Sequence, residues 1–333
     1  MKSTRKWIKP ALREALHMQL LIALESGESE ILVGGQAVME GVMMRAPHSY
    51  AVAVRRSDGT ISTTTRPLLR PSEKHKVWGW PMLRGLATLG QAMGLGVRAL
   101  RFSSELAMAD EGGGEAAKPS EVGKWGMIAS IAASVIFFVA FYKFMPLVVA
   151  TETAKLWPAF SGQIAFNLVD GIVRIVLFLA FIGGLALLPD IRRVYEYHGA
   201  EHKVVYNYES GQPVDVAHAR GFTTLHPRCG TSFMIVIMLI AMAMYILIPA
   251  TTFWMRFGVR LALLPVIAGL SYEVIRFGAK HSQSIFALLA RPGLWLQRIT
   301  TVEPSDSQLE ISIHALQTAM SLEKEQGGEM VIA

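Results

Sequence analysis

The stretch Tyr197-His198-Gly199-Ala200-Glu201-His202-Lys203 puts two imidazoles and a carboxylate within one short run. On a helix advancing 100° per residue, His198 and His202 fall about 40° apart, and Glu201 falls about 60° to the other side of His198. Both imidazoles can then hold one divalent metal, zinc or another, with Glu201 close enough to handle a proton. The spacing is H-x-x-E-H, the inverted zincin arrangement, in which the histidines ligate zinc and the glutamate acts as general base. A second group follows in "LHPRCGTS", where Pro227 disfavours helix at His226, so that a rigid turn presents His226 and Cys229. Glu273, in "LSYEVIRF", is a third contributor, because a carboxylate inside an apolar segment is a functional candidate by default. The remaining ligand is expected from Cys229, His226 or Glu273. Lys203 and Arg228 are expected to bind an anionic group such as phosphate.

Each of these residues also has a plainer reading. His198 and His202 can be interfacial side chains bonded to Tyr195, Tyr206 or a lipid phosphate. Cys229 can be a small buried hydrophobe, and Arg276, one turn from Glu273, can simply pair with it. Asp170 and Arg174, four apart, read as a self-satisfying helical pair. Lys143 reads as snorkelling or facing the bundle. Gln36, Glu40 and Arg45 in "GGQAVMEGVMMR" support the site only if that segment folds over the histidine helix.

The elements that must position these groups have the composition of a membrane protein. Of 333 residues, 52% are hydrophobic and 17% charged, whereas a soluble domain is about a quarter charged. The apolar residues gather in four blocks, 126–150, 164–188, 232–251 and 258–277, each near the ~20 residues a crossing helix needs. Lysines and arginines crowd the segment before the first block, the middle loop and the tail. The loops within each pair of blocks carry few: Lys155 in one, Arg256 in the other. Positive-inside logic places both termini and the 189–231 loop in the cytoplasm of a multi-pass plasma (inner) membrane protein. The net charge of +6 comes without a basic run interleaved with aromatics, so no nucleic acid partner is expected. The single cysteine, Cys229, excludes an internal disulfide and a four-cysteine zinc site.

The fold class expected is mainly α, with about four transmembrane helices, an interfacial helix and a small N-terminal β-hairpin region. Residues 1–30 read as an amphipathic cytoplasmic segment. Residues 31–110 hold the hairpin, signalled by two β-branched runs around Asp58-Gly59, and a helix too short in its apolar part to span. A glycine-rich linker, 111–125, leads to the first transmembrane hairpin, 126–188. The loop 189–231 carries the histidine and HPRCG motifs, with a helix over 190–208 that ends at Gly211. A second transmembrane hairpin, 232–277, precedes a tail, 278–333. In that tail Pro292-Gly293 reads as a turn beside an interfacial Leu294-Trp295-Leu296, and a polar helix follows Pro304.

Five motifs in order, "GGQAVMEGVMMR", "YHGAEHKVVYNYESG", "HPRCGTSF", "AGLSYEVIRF" and "PGLWLQRITTVEP", resemble the YqhQ-like family of bacterial membrane proteins of unknown function. The likeness runs from about Ile31 to Pro304. It implies a metal-dependent enzyme and carries over His198, Glu201, His202, His226, Cys229 and Glu273 as the positions of interest. The leading expectation is a zinc-dependent hydrolase acting at the cytoplasmic membrane surface on a lipid-linked or membrane-proximal substrate. A non-enzymatic scaffold with a structural metal or hydrogen-bond cluster is the alternative, and a small transporter subunit the third. The bilayer and a lipid-linked substrate are the expected partners, and self-association is left open.

Overall fold

A computed structural model describes residues 33–111, 124–226, 229–281 and 284–325. The proposed amphipathic segment 1–30, most of the 111–125 linker and Arg228 lie outside the described residues. The first described elements are four strands, β1 (Gly34–Val38), β2 (Gly41–Arg45), β3 (Ser49–Arg55) and β4 (Ile61–Pro67), in an antiparallel meander of order β1-β2-β3-β4. The expected hairpin is β3–β4, closed around Asp58 and Gly59, with Arg55 opposite Ile61. The "GGQAVMEGVMMR" motif adds a second hairpin, Val38 opposite Gly41, turned by Glu40 at φ 53°.

Apolar residues run almost unbroken along β2 and β3 because both faces of the sheet are covered. Val42, Met44 and Ala53 point into a core shared with Tyr197, Ala200, Val204, Leu309 and Leu316. Met43, Tyr50, Val52 and Val54 point the other way, against Leu95 and Ala99. The second cover is α1 (Leu83–Glu111), whose opposite side leaves Met93, Val97, Leu100 and Met108 exposed.

Three helices among the described residues are long and apolar enough to cross a membrane: Ala132–Leu156, Gln163–Leu185 and Gly230–Leu247. The first comprises α2 (Lys124–Val139), a π turn (Ala140–Phe144) and α3 (Met145–Leu156); the others are α4 (Gln163–Leu185) and α6 (Gly230–Leu247). Between α4 and α6 lies α5 (Pro189–Glu209). The fourth apolar block is not a straight span. It breaks into α7 (Phe253–Ala262) and α8 (Leu264–Lys280), bent by 51°. Pro265 supplies the cause, since it has no N–H to give and disfavours helix in the residue before it.

Two further expectations are corrected in the tail. Pro292 and Gly293 sit inside a continuous helix, α9 (Ile285–Thr300), not a turn. A Cβ on Gly293 would lie 2.5 Å from Ser232 Cα, so the glycine is there for close packing of α9 on α6. The final helix, α10 (Asp306–Glu325), is not polar all round: Leu309, Ile311, Ala315, Leu316 and Ala319 are buried where it wedges against the sheet and α5.

Candidate metal centre

The histidine helix forms as its spacing predicts. Pro189 opens α5 within its first turn, Asp190 complements the helix dipole there, and Gly211 follows its end at φ 70°. Gly199 is what lets another chain segment lie on it. A Cβ there would stand 2.1 Å from the carbonyl oxygen of Val302, so only glycine admits residues 300–303 against the helix. The contact is fixed by the Val302 N–H, which donates to Tyr195 O at 3.0 Å.

That close approach orients His198. Its Nδ1 lies 2.8 Å from the carbonyl oxygen of Thr300. His202 is held in the same manner, with Nδ1 bonded to the carbonyl oxygen of Thr224. A carbonyl only accepts, so both Nδ1 atoms carry hydrogen and both Nε2 atoms present a lone pair. His198 Nε2 faces Cys229 Sγ at 3.2 Å, and a ring nitrogen of His202 lies within 4.8 Å of that sulfur. One donor atom each from His198, His202 and Cys229 lies within 4.8 Å of the others, the group of this kind found among the described residues.

Cys229 is brought in by α6, which it caps. Its sulfur accepts from the Thr231 N–H at 3.5 Å and lies 3.1 Å from Thr231 Oγ1. The loop leading to it is clamped by Gln297 of α9, fully buried, whose amide reaches both backbone groups of His226 at 2.7 Å and Ser232 Oγ at 2.9 Å. Tyr206 adds a bond to Leu225 O at 3.0 Å.

The donor chemistry fits a divalent metal. Two Nε2 lone pairs and one thiol converge with a single hydrogen among them, so protein hydrogen bonds alone satisfy one imidazole and leave the other facing sulfur. A tetrahedral zinc site separates its ligand atoms by about 3.3–3.6 Å, against the 3.2 Å seen between His198 Nε2 and Sγ. Outer-shell carbonyls on both Nδ1 atoms are the usual accompaniment of ligating histidines.

Glu201 stands beside this set. It is 5% exposed, its Oε2 is 3.5 Å from His202 Nε2, and its stem packs where a Cβ on Gly35 would fall 2.7 Å from Glu201 Cγ. The β1 strand therefore does lie over the histidine helix. Of its neighbours, Glu40 pairs with Arg193 and sits 3.4 Å from Tyr197 Oη, so it ties the β1–β2 turn to α5. Gln36 donates to Ala92 O at 3.2 Å on α1. Arg45 ends β2, where burial and nearby Arg70 push its pKa down. None of these three is in the donor set.

Three expected roles need correcting or narrowing. Glu273 does not join the donors: both carboxylate oxygens are taken by Arg84, and Oε1 also accepts from the Met82 N–H at 3.0 Å. Its partner is thus Arg84 of α1, not the nearby Arg276. Lys203 has no ammonium free for phosphate, because it is buried, ion-paired to Glu303, and donates to Arg220 O at 3.0 Å. His226 lies behind the donors, with its ring 5.5 Å from that of His202, 4.6 Å from that of Tyr206, and Nε2 3.7 Å from Glu209 Oε2.

Burial pushes the His226 pKa down to about 4, whereas a free imidazole titrates near 6.5. The unfolded chain therefore takes up the proton first as pH falls. Stability is constant above about pH 6.5 and is lost as pH falls towards 4, by about 3 kcal/mol over that window. His202, driven the same way by its own burial, acts in the same direction. The thermal midpoint of the purified protein is expected to drop between pH 7 and pH 5, and His226→Gln to flatten part of that drop.

Sequence reasoning missed Gln297, Thr300 and Thr224. Gln297 lies in "PGLWLQRITTVEP" and carried a signal, a lone amide on an otherwise apolar helix face. The two threonines act through backbone carbonyls, for which no side chain gives notice.

Comparison with known proteins gives a family and no function. The family described as "Protein of unknown function (DUF1385)" matches residues 80–322. The chain is similar to the uncharacterized protein YqhQ of Bacillus subtilis (strain 168), 37% identical over 294 residues, covering 87% of this chain and 92% of that protein. No solved structure matches.

Proposed function

The chain belongs to the DUF1385, YqhQ-like family, and we propose that it is a zinc-dependent hydrolase of the cytoplasmic face of the inner membrane, with His198, His202 and Cys229 as metal ligands. The observation that carries the reading is the pair of Nδ1-tethered histidines whose Nε2 atoms converge on one sulfur. A bound divalent metal supplies Lewis acidity that makes water a nucleophile near neutral pH and polarises the bond to be cut. His198, His202 and Cys229 would hold the metal and would leave a fourth position for water.

The chain's own residues do the rest. Thr300 and Thr224 carbonyls fix the tautomers, so that the ring nitrogens facing inward stay basic. Glu201 accepts a proton at Oε2, within reach of the donor set yet outside it. Gln297 holds the backbone of His226 against α9. Cys229 heads α6 and α5 follows α4 directly, so the centre lies at one end of two apolar helices, a depth suited to a lipid-linked substrate.

The scaffold reading keeps one supporting observation: the donors join α5 to the start of α6, and the carbonyls of Thr224 and Thr300 tie two further segments to the same histidines, as a structural metal site would. Turnover separates the two. Glu201→Gln is expected to retain about one metal ion per chain while hydrolysis of phosphoester and carboxylester lipids in mixed micelles falls about a hundredfold. Wild-type protein that holds no metal by plasma mass spectrometry sinks the hydrolase and leaves only a scaffold built on the hydrogen-bond cluster, and metal without hydrolysis leaves the scaffold with a structural metal.

A further inference from the structure

A second polar centre lies at the far end of α4 and α6 from the histidines. Asp170 and Arg174 make the expected helical pair at 2.6 Å. The fold adds Arg260 of α7, whose Nη2 is 3.3 Å from Asp170 Oδ1 and donates to Asn167 Oδ1 at 3.1 Å. Asp170, Arg174 and Arg260 are 0%, 3% and 2% exposed. Lys143 of the π turn donates to Tyr245 Oη at 3.2 Å. It, Arg174 and Arg260 lie 5.7, 5.3 and 5.0 Å from the centroid of the Tyr245 ring. Three cations thus face one carboxylate among apolar helices, where each uncompensated charge is costly.

The protein compensates in part. Pro146 has no N–H, so the Tyr142 carbonyl one turn earlier loses its helical donor, and Arg174 Nε supplies one at 3.1 Å. The face of Tyr245 attracts all three cations. Arg174 Nη1 and Arg260 Nε still have no acceptor among the described protein atoms. Beside Arg260 is a cavity with room for about one water molecule, walled by Gln163, Asn167, Tyr245 and Arg256.

We propose that this cavity binds a small monovalent inorganic anion, of the size of chloride, held by Arg260 with Arg256 beside it. Excess positive charge selects an anion. The size of the cavity rejects phosphate, sulfate and lipid headgroups. From Cys229 to Tyr245 is about 24 Å along α6 at 1.5 Å per residue, so the anion site and the histidine centre occupy opposite ends of one helix.

The test uses the full chain in detergent micelles at constant ionic strength, with sodium gluconate exchanged stepwise for sodium chloride. A saturable rise of several degrees in the unfolding midpoint is expected, together with broadening of the chloride NMR line. Bromide is expected to reproduce both effects, and phosphate and sulfate neither. Arg260→Gln is expected to abolish them. Should that variant fail to fold, Arg256→Gln is expected to raise the half-saturating chloride concentration about tenfold. Equal midpoints in chloride and gluconate, a larger effect from phosphate, or full chloride binding in folded Arg260→Gln or Arg256→Gln protein would each overturn the proposal.

Discussion

Purified His202→Ala protein is expected to carry less than a tenth of the zinc held by the wild type at equal free metal. His202 is the most enclosed donor, 2% exposed, and its ring cannot be replaced by a neighbour. His226 is 5.5 Å away, centroid to centroid, and lies against Glu209. Zinc in small structural sites is bound by about 10–16 kcal/mol shared over four ligands, so losing one ligand costs about 3 kcal/mol, a hundredfold or more in affinity. Plasma mass spectrometry after dialysis against a weak chelator reads the difference. Glu273→Gln is the informative companion, because its carboxylate is spent on Arg84 and Met82, and its metal content is expected to match the wild type. Equal zinc in His202→Ala and wild-type protein would remove the metal centre from the account.

The parts of the fold with a local cause were legible in the sequence. Period and capping marked α5 to within a residue at each end, and Asp58-Gly59 marked the β3–β4 turn. The three long apolar helices followed from length and hydropathy alone. Elsewhere the sequence misled, once through a local cause that was overlooked and otherwise through causes that lie far along the chain. Pro265 was visible, yet a 20-residue apolar block outweighed it, and the break into α7 and α8 went unseen. Pro292-Gly293 has the form of a turn, but packing of α9 on Ser232 overrode that preference. The polar tally of α10 concealed a buried face, because small residues such as Ser312 and Ala315 are buried there with the aliphatics.

The candidate centre shows the same division. Helical spacing brought His198 and His202 together, and its place as the cap of α6 brought Cys229 to them. Glu273 and Lys203 were misassigned because an isolated charge in a sequence has no visible partner. Only the folded chain shows Arg84, 189 positions away, and Glu303, 100 away, already bound to them. Backbone carbonyls at Thr224 and Thr300 were beyond any reading of side chains, and they are what determines which nitrogen of each histidine faces inward.

Gly199→Ala is expected to lower the unfolding midpoint by several degrees, the largest stability effect of any single added methyl group around the centre. Two terms compete. Alanine is favoured over glycine within a helix by about 1 kcal/mol. Against that, the new Cβ would stand 2.1 Å from Val302 O, 3.2 Å from Val302 C and 3.3 Å from Thr224 Cγ2. The first of these is a backbone atom that cannot rotate away, so the 300–303 segment must retreat by more than an ångström before the 2.1 Å approach becomes an ordinary contact at 3.4 Å. That retreat breaks the Val302–Tyr195 bond and draws the Thr300 carbonyl off His198, for a net loss of about 2–3 kcal/mol. Gly94→Ala isolates the helix term, since nothing lies within 4 Å of a Cβ at that exposed position of α1, and it is expected to raise the midpoint slightly. Because the Gly199 substitution also frees the tautomer of His198, zinc affinity is expected to fall by about tenfold or more in the folded fraction. A Gly199→Ala protein as stable as the wild type, with undiminished zinc binding, would mean that the 300–303 segment does not lie on α5 and that His198 is oriented by something else.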